Sequence, residues 1–126
     1  MDFSEVVRAS RDVAEAPGRL VKTGRLSTLL TALLPEEIEP VVAFLSGEPR
    51  QGRIGIGHAV LSAVPRATQA PVGPSLTILD VDAAFDAIAK VSGAGSSQIR
   101  SEALGALFSR ASDAERDFLR RLLYSE

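Results

Sequence analysis

The sequence contains no cysteine and no tryptophan, and only one histidine, one methionine and one tyrosine. Without thiols, disulfides, thiolate metal sites and thiol nucleophiles are excluded. A single histidine and no clustered carboxylates at ligand spacing leave little for a metal centre or for acid–base catalysis. No apolar run approaches the length that crosses a bilayer. The N-terminus, MDFSEVVRAS, has acids early and no basic-then-apolar order, so it does not read as a signal peptide. Acidic residues are also missing from the stretch 49–79, which carries Arg50, Arg53, Arg66, His58 and four of the seven prolines.

What is present suits one helical domain. The chain has 126 residues, 45% of them apolar and 24% charged, with a formal net charge of −2. Alanine and leucine dominate and aromatics are 5%, a balance that favours helices over strands. The net charge argues against a nucleic-acid binder, but the charge is unevenly spread. Residues 1–48 hold five basic and eight acidic side chains, 49–79 three and none, and 80–126 six and eight. A basic patch on an acidic domain still attracts phosphate, because the local potential decides.

Helical periodicity recurs along both ends of the chain. Phe3, Val6, Val7, Ser10 and Val13 share one face before Pro17-Gly18 interrupts. Val21, Leu26, Leu29, Leu30 and Leu33 give a second face. A third helix is expected from Pro35, with Ile38, Val41, Val42 and Leu45 inward, a kink or late start at Pro40, and an end at Ser46-Gly47. A short helix is expected over 57–64. Residues 76–79 form an apolar lead-in to a helix capped by Asp80, with Ala84, Phe85, Ile88 and Val91 on its face. Residues 92–97 break it. The next helix carries Ile99, Ala103, Leu104, Leu107 and Phe108, and Ser112-Asp113-Ala114-Glu115 is a capping box for the last.

Residues 2–48 align with 80–126 at a constant offset of 78, with no gap and nine identities, among them Leu26 with Leu104, Leu29 with Leu107 and Glu37 with Glu115. The expected fold is all-α: two pseudo-symmetric three-helix units packed into one domain, 1–126, joined by the basic Gly/Pro-containing connector 49–79.

The repeat duplicates a candidate anion site. Gly93-Ala94-Gly95-Ser96-Ser97 runs into a helix start, with Arg100 one turn in; Pro17-Gly18-Arg19 does the same, with Lys22 and Arg25 on the next turns. Helix starts present free N–H groups to phosphate oxygens. Solvated loops at helix starts are the plainer reading, but two related clamps suit a duplex backbone. Arg50, Gln51, Arg53, Gly55 and Gly57 form a third candidate contact, since glycine permits close approach and arginine enters minor grooves. An ordinary loop with surface arginines is the alternative there. His58 reads as a surface or helix-start residue, with a phosphate or base contact second. Gly55-Ile56-Gly57 lacks the full dinucleotide pattern and a preceding strand. Arg110, Arg116, Arg120 and Arg121 gather in the last two helices, partly paired with acids on the solvated face.

The segments DFSEVVRASRDVAEA, GRLVKTGRLSTLLTALLPEEIEPVVAFLSGE, PRQGRIGIGHAVL and VDAAFDAIAKVSGAGSSQIRSEALGALFSRASDAERDFLRRLL together resemble the N-terminal DNA-binding domain of bacterial, actinobacterial-type ATP-dependent DNA ligases. The resemblance covers essentially the whole chain. It implies an all-helical, internally two-fold domain that binds nicked duplex across the minor groove without sequence preference. By that resemblance, the DNA-facing residues are those near Arg19 and Lys22, the stretch 50–57, and the helix start from Gly95 to Arg100. The family's nucleotidyl transfer uses a Lys-x-Asp-Gly motif in a separate domain. Here Lys22 is followed by Thr-Gly and Lys90 by Val-Ser-Gly. Adenylation and OB domains are therefore expected beyond Glu126. ATP and Mg2+ belong to the full-length ligase, and no cofactor, metal or catalytic residue is expected in this part. The expected partners are nicked double-stranded DNA and the other ligase domains in cis, for a cytoplasmic, nucleoid-associated monomer. An all-helical protein-interaction or scaffold domain is the rival reading, and a small helical enzyme a distant third.

Overall fold

A computed structural model describes residues 1–52, 71–91 and 93–123. These form six helices: α1 Phe3–Glu15, α2 Arg19–Thr31, α3 Pro35–Leu45, α4 Ile78–Ala89, α5 Ser96–Ser109 and α6 Asp113–Leu123. The helix expected over 57–64 lies outside the described residues, as do Arg53, Gly55, Gly57, His58 and Arg66.

Local chemistry sets most of the ends. α1 buries Phe3, Val6, Val7 and Ala9 at helical spacing, and Pro17 cannot continue it. α3 begins on Pro35, which has no N–H to lose at the first position. It runs through Pro40 without interruption and ends where Gly47, at φ +91°, lets the chain turn back. There Glu48 N–H donates to the Ala43 carbonyl and Gly47 N–H to that of Phe44, a Schellman closure. At α6, Ser112 Oγ accepts the Glu115 N–H (3.2 Å) while a Glu115 carboxylate oxygen accepts the Ser112 N–H (2.8 Å), so the expected capping box is present.

One start differs from expectation. α4 begins at Ile78, and its cap is Thr77 rather than Asp80. Thr77 Oγ1 accepts the Asp80 N–H and the Asp80 carboxylate accepts the Thr77 N–H, both at 3.1 Å. The reason is a local capping box, reinforced by a tertiary contact. Asp2 and Thr77 form an antiparallel bridge, with Phe3 N–H donating to Leu76 O and Ile78 N–H to Met1 O. The N-terminus thus holds the extended chain in place just ahead of the cap.

α1 packs against α2, α3, α4 and α6, while α4 also packs against α3 and α5. The six helices therefore group as α1–α2 and α4–α5 neighbours, with α6 crossing to α1 and α3 crossing to α4. One core results. Phe3 meets Phe44 and Phe118 edge-on at 5.6 Å, and Phe44 meets Phe85 at 6.2 Å, joining α1, α3, α4 and α6. The 78-residue shift carries both ends of α3 onto those of α6 and the end of α2 onto that of α5. Applied to α1 it would give 81–93, whereas α4 occupies 78–89 because of its earlier cap.

α2 is less buried than its apolar pattern predicts. Only Leu29 is fully covered, Leu26, Leu30 and Leu33 are half-buried, and Val21 is exposed.

Buried charge is matched. Glu37, 2% exposed, accepts the Met1 ammonium at 2.7 Å and the Leu34 N–H at 2.8 Å. The ammonium is the main reason its carboxyl lies below the usual range. Arg116 donates from Nε to the Phe108 carbonyl (2.9 Å), closing the end of α5 against α6.

Candidate nucleic-acid interface

The described arginines divide by what they hold. Arg50 reaches 32 residues along the chain: Nε and Nη2 donate to the two Asp82 oxygens (3.1 Å each), and Nη2 also to Asp86 (2.8 Å). Gln51 donates to the same two carboxylates. The Gln51 amide, ahead of Arg50, holds Asp86 below the usual carboxylate range, and the Asp82 contact raises Arg50. These residues clip the start of the connector onto α4. No local spacing announces the contact; it requires α3 to be packed on α4.

Arg25 pairs with Asp12 at 2.8 Å and so ties α2 to α1. Arg110 donates to the carbonyls of Pro74 and Ser75 and to Asp80, fastening the far end of the connector. Together with the Thr77 N–H, which comes first, it keeps Asp80 below its ordinary value. Arg120 lies over the Phe108 ring at 5.4 Å, and Arg121 pairs with Asp117 at 3.2 Å. The C-terminal arginine cluster is therefore largely occupied within the chain.

Arg19 and Lys22, like the exposed Arg11 on α1 and Lys90 after α4, are not held in this way. Both are exposed in the first turn of α2, and neither makes an ion pair among the described residues. Gly18 precedes them as an extended cap residue. The corresponding start in the second half is α5, where Gly95 at φ +80° turns the chain and Ser96 and Ser97 open the helix. Arg100, one turn in, donates from Nη2 to the Val91 carbonyl at 2.7 Å, so it also secures the end of α4. The two starts are thus alike in glycine and sequence register but unequal in the freedom of their cation. Of the ten residues expected to face DNA, seven are described: Arg19, Lys22, Arg25, Arg50, Ser96, Ser97 and Arg100. The other three, Arg53, Gly55 and Gly57, fall outside.

The second half and the end of the connector match a known family. Residues 62–126 fit the family model described as DNA ligase N terminus. The chain belongs to this family. Its similarity to whole proteins extends further: it is 51% identical over 123 residues to a probable DNA ligase of Rhodococcus jostii, covering 98% of the chain and 24% of that relative. A probable DNA ligase of Anaeromyxobacter sp. is 45% identical over 126 residues, covering all of the chain and 24% of that protein. The chain spans about a quarter of the length of these curated relatives. Among the described residues, no group of three acidic or histidine side chains is placed to hold a metal ion, and no helix is long and apolar enough to cross a membrane.

Proposed function

We propose that this chain is the DNA-binding module of an ATP-dependent DNA ligase and holds nicked duplex through backbone phosphates and the minor groove. The observation that carries the reading is the pair Arg19 and Lys22, exposed and without a carboxylate among the described residues. They stand in a 20-residue stretch, 16–35, that contains three cations and no acid. Among the described residues Arg11 and Lys90 are likewise exposed without an ion pair, but only Arg19 and Lys22 stand together at a helix start with no acid between 16 and 35, a placement that favours an external anion. The near two-fold relation of the halves would set Ser96, Ser97 and Arg100 as the second clamp, spaced from the first along the duplex. Arg25, Arg50 and Arg53 would add to the field, and Gly55 and Gly57 would let the backbone approach the strand.

ATP and Mg2+ would be used by the rest of the ligase, through a Lys-x-Asp-Gly lysine that this sequence does not contain. The chain's own part would be to raise the occupancy of the nick for those domains, in the cytoplasm and as a monomer. Binding of a fluorescent nicked duplex over a salt series tests this. Affinity should fall linearly in log–log form, and Lys22→Gln should reduce the slope by about 0.9. Duplex binding that is absent at low salt, or insensitive to salt, would refute the reading.

A second surface favours contact with protein. Leu34, Ile38 and Val42 form an exposed i, i+4, i+8 row on α3, with Glu36 and Glu39 beside it. Acids at its edge disfavour DNA there and suit the other ligase domains in cis.

A further inference from the structure

Residues 19–24 make up the first turn and a half of α2, and all six are exposed. A helix lying on its own domain buries one face; among the described residues no side chain of this segment is buried. It nevertheless carries Leu20, 87% exposed, and Val21, 54% exposed. Isolated exposed apolar residues are ordinary, but here two adjacent ones sit on a turn that also holds Thr23 and Gly24, weak helix formers. The 78-residue shift takes Val21 to Ile99, which is 51% exposed on α5 just before Arg100.

The charge around these side chains says what they meet. Residues 16–35 contain no acid; residues 87–101, which carry Lys90 and Arg100, contain none either, but Glu102 follows one turn beyond Ile99 and accepts from Gln98 at 3.2 Å. The other exposed apolar row, on α3, is edged by Glu36 and Glu39 and would repel a polyanion. Its second-half counterparts are Ser112, Arg116 and Arg120, of which Arg116 is buried and Arg120 folds over Phe108. Leu20 and Val21 thus combine apolar exposure with a twenty-residue stretch holding three cations and no acid, while Ile99 has both Arg100 and Glu102 within a turn. Val72, 67% exposed, also lies in acid-free sequence but against the end of α5, where its N–H donates to Ser109 O.

We propose that Leu20, Val21 and Ile99 are apolar prongs that lie against deoxyribose and base edges in the minor groove, with Arg19 and Lys22 on the flanking phosphates. This rests on the DNA-binding reading above and adds to it a contact that is not electrostatic. Minor-groove proteins commonly press apolar side chains against or between base steps, which grips the duplex without reading its sequence. A nick, where one strand is not continuous, lowers the cost of such unstacking. Salt separates the two kinds of contact. Phosphate contacts release counterions and set the slope of log K against log salt, whereas apolar burial changes the level at every salt concentration.

The test is a salt series with the 126-residue chain and a nicked duplex. Leu20→Gln with Val21→Gln should weaken binding about ten-fold at every salt concentration, and Ile99→Gln about three-fold, with the slope unchanged. Lys22→Gln should instead lower the slope. Glutamine is a good helix former and the sites are exposed, so circular dichroism should show unaltered folding. Glutamine variants that bind as tightly as the parent would overturn the prongs while leaving the DNA-binding reading intact. A changed slope would mean that these side chains merely place the cations, and would also overturn the proposal. Absence of salt-sensitive binding by the parent would remove the DNA-binding reading itself. Vesicles of anionic lipid supply the remaining arm: loss of vesicle binding in the glutamine variants, with duplex binding unaltered, would assign the prongs to a lipid surface and refute the minor-groove site.

Discussion

Replacing Glu37 with glutamine probes the most buried charge among the described residues. Its carboxylate accepts the Met1 ammonium through one oxygen and the Leu34 N–H through the other, with side-chain exposures of 3% for Glu37 and 17% for Met1. Breaking a buried pair costs about 3–5 kcal/mol. The part-exposed ammonium regains some hydration and glutamine still accepts the Leu34 N–H, so Glu37→Gln should cost about 2–3 kcal/mol. With an unfolding entropy of about 2.1 cal/mol/K per residue, that lowers the melting temperature by roughly 8–12 °C. Urea unfolding followed by circular dichroism is the suitable assay, because the chain has no tryptophan. The pH dependence supplies the control. The folded pKa of Glu37 is depressed from 4.5, so its stabilisation is fully present above the unfolded pKa and is lost as pH falls through the folded one. The gap between parent and Glu37→Gln should therefore be constant near neutrality and close in acid. Acetylating the Met1 amine should reproduce most of the loss, and combining it with Glu37→Gln should add little. A loss below about 0.5 kcal/mol at pH 7, or a gap that is the same at neutral and acid pH, would refute the assignment of this pair as a buried, mutually dependent contact.

Two other outcomes follow from backbone and loop geometry. Gly47→Ala, at φ +91°, should destabilise by about 1–2 kcal/mol, whereas Gly105→Ala, inside α5 with open space around its Cα, should stabilise by about 0.5–1 kcal/mol, both read from thermal unfolding. Arg50→Gln should release the start of the connector from Asp82 and Asp86, seen as faster amide exchange at Gly52, whose N–H donates to Pro49 O at 2.8 Å, with exchange in α1 unaltered.

The sequence alone determined the helical class, the break at Pro17-Gly18, the start of α3 at Pro35 and its end at Gly47, and the Ser112–Glu115 cap. Each depends on residues within five positions of one another, so local chemistry decides it. The 78-residue register of the sequence carries the bounds of α3 onto those of α6 and the end of α2 onto that of α5. Tertiary structure decided what local spacing cannot contain. It joined the start of α4, which the local Thr77–Asp80 box already marks, to the other end of the chain through the Asp2–Thr77 bridge. It crossed α3 onto α4 and α6 onto α1, the arrangement that lets Phe3, Phe44, Phe85 and Phe118 share one core. It also divided the candidate cations. Arg25 and Arg50 found partners 13 and 32 residues away, while Arg19 and Lys22, on an exposed first turn, found no ion pair among the described residues. Composition fixes how many charges a chain carries; only packing decides which of them are left facing water.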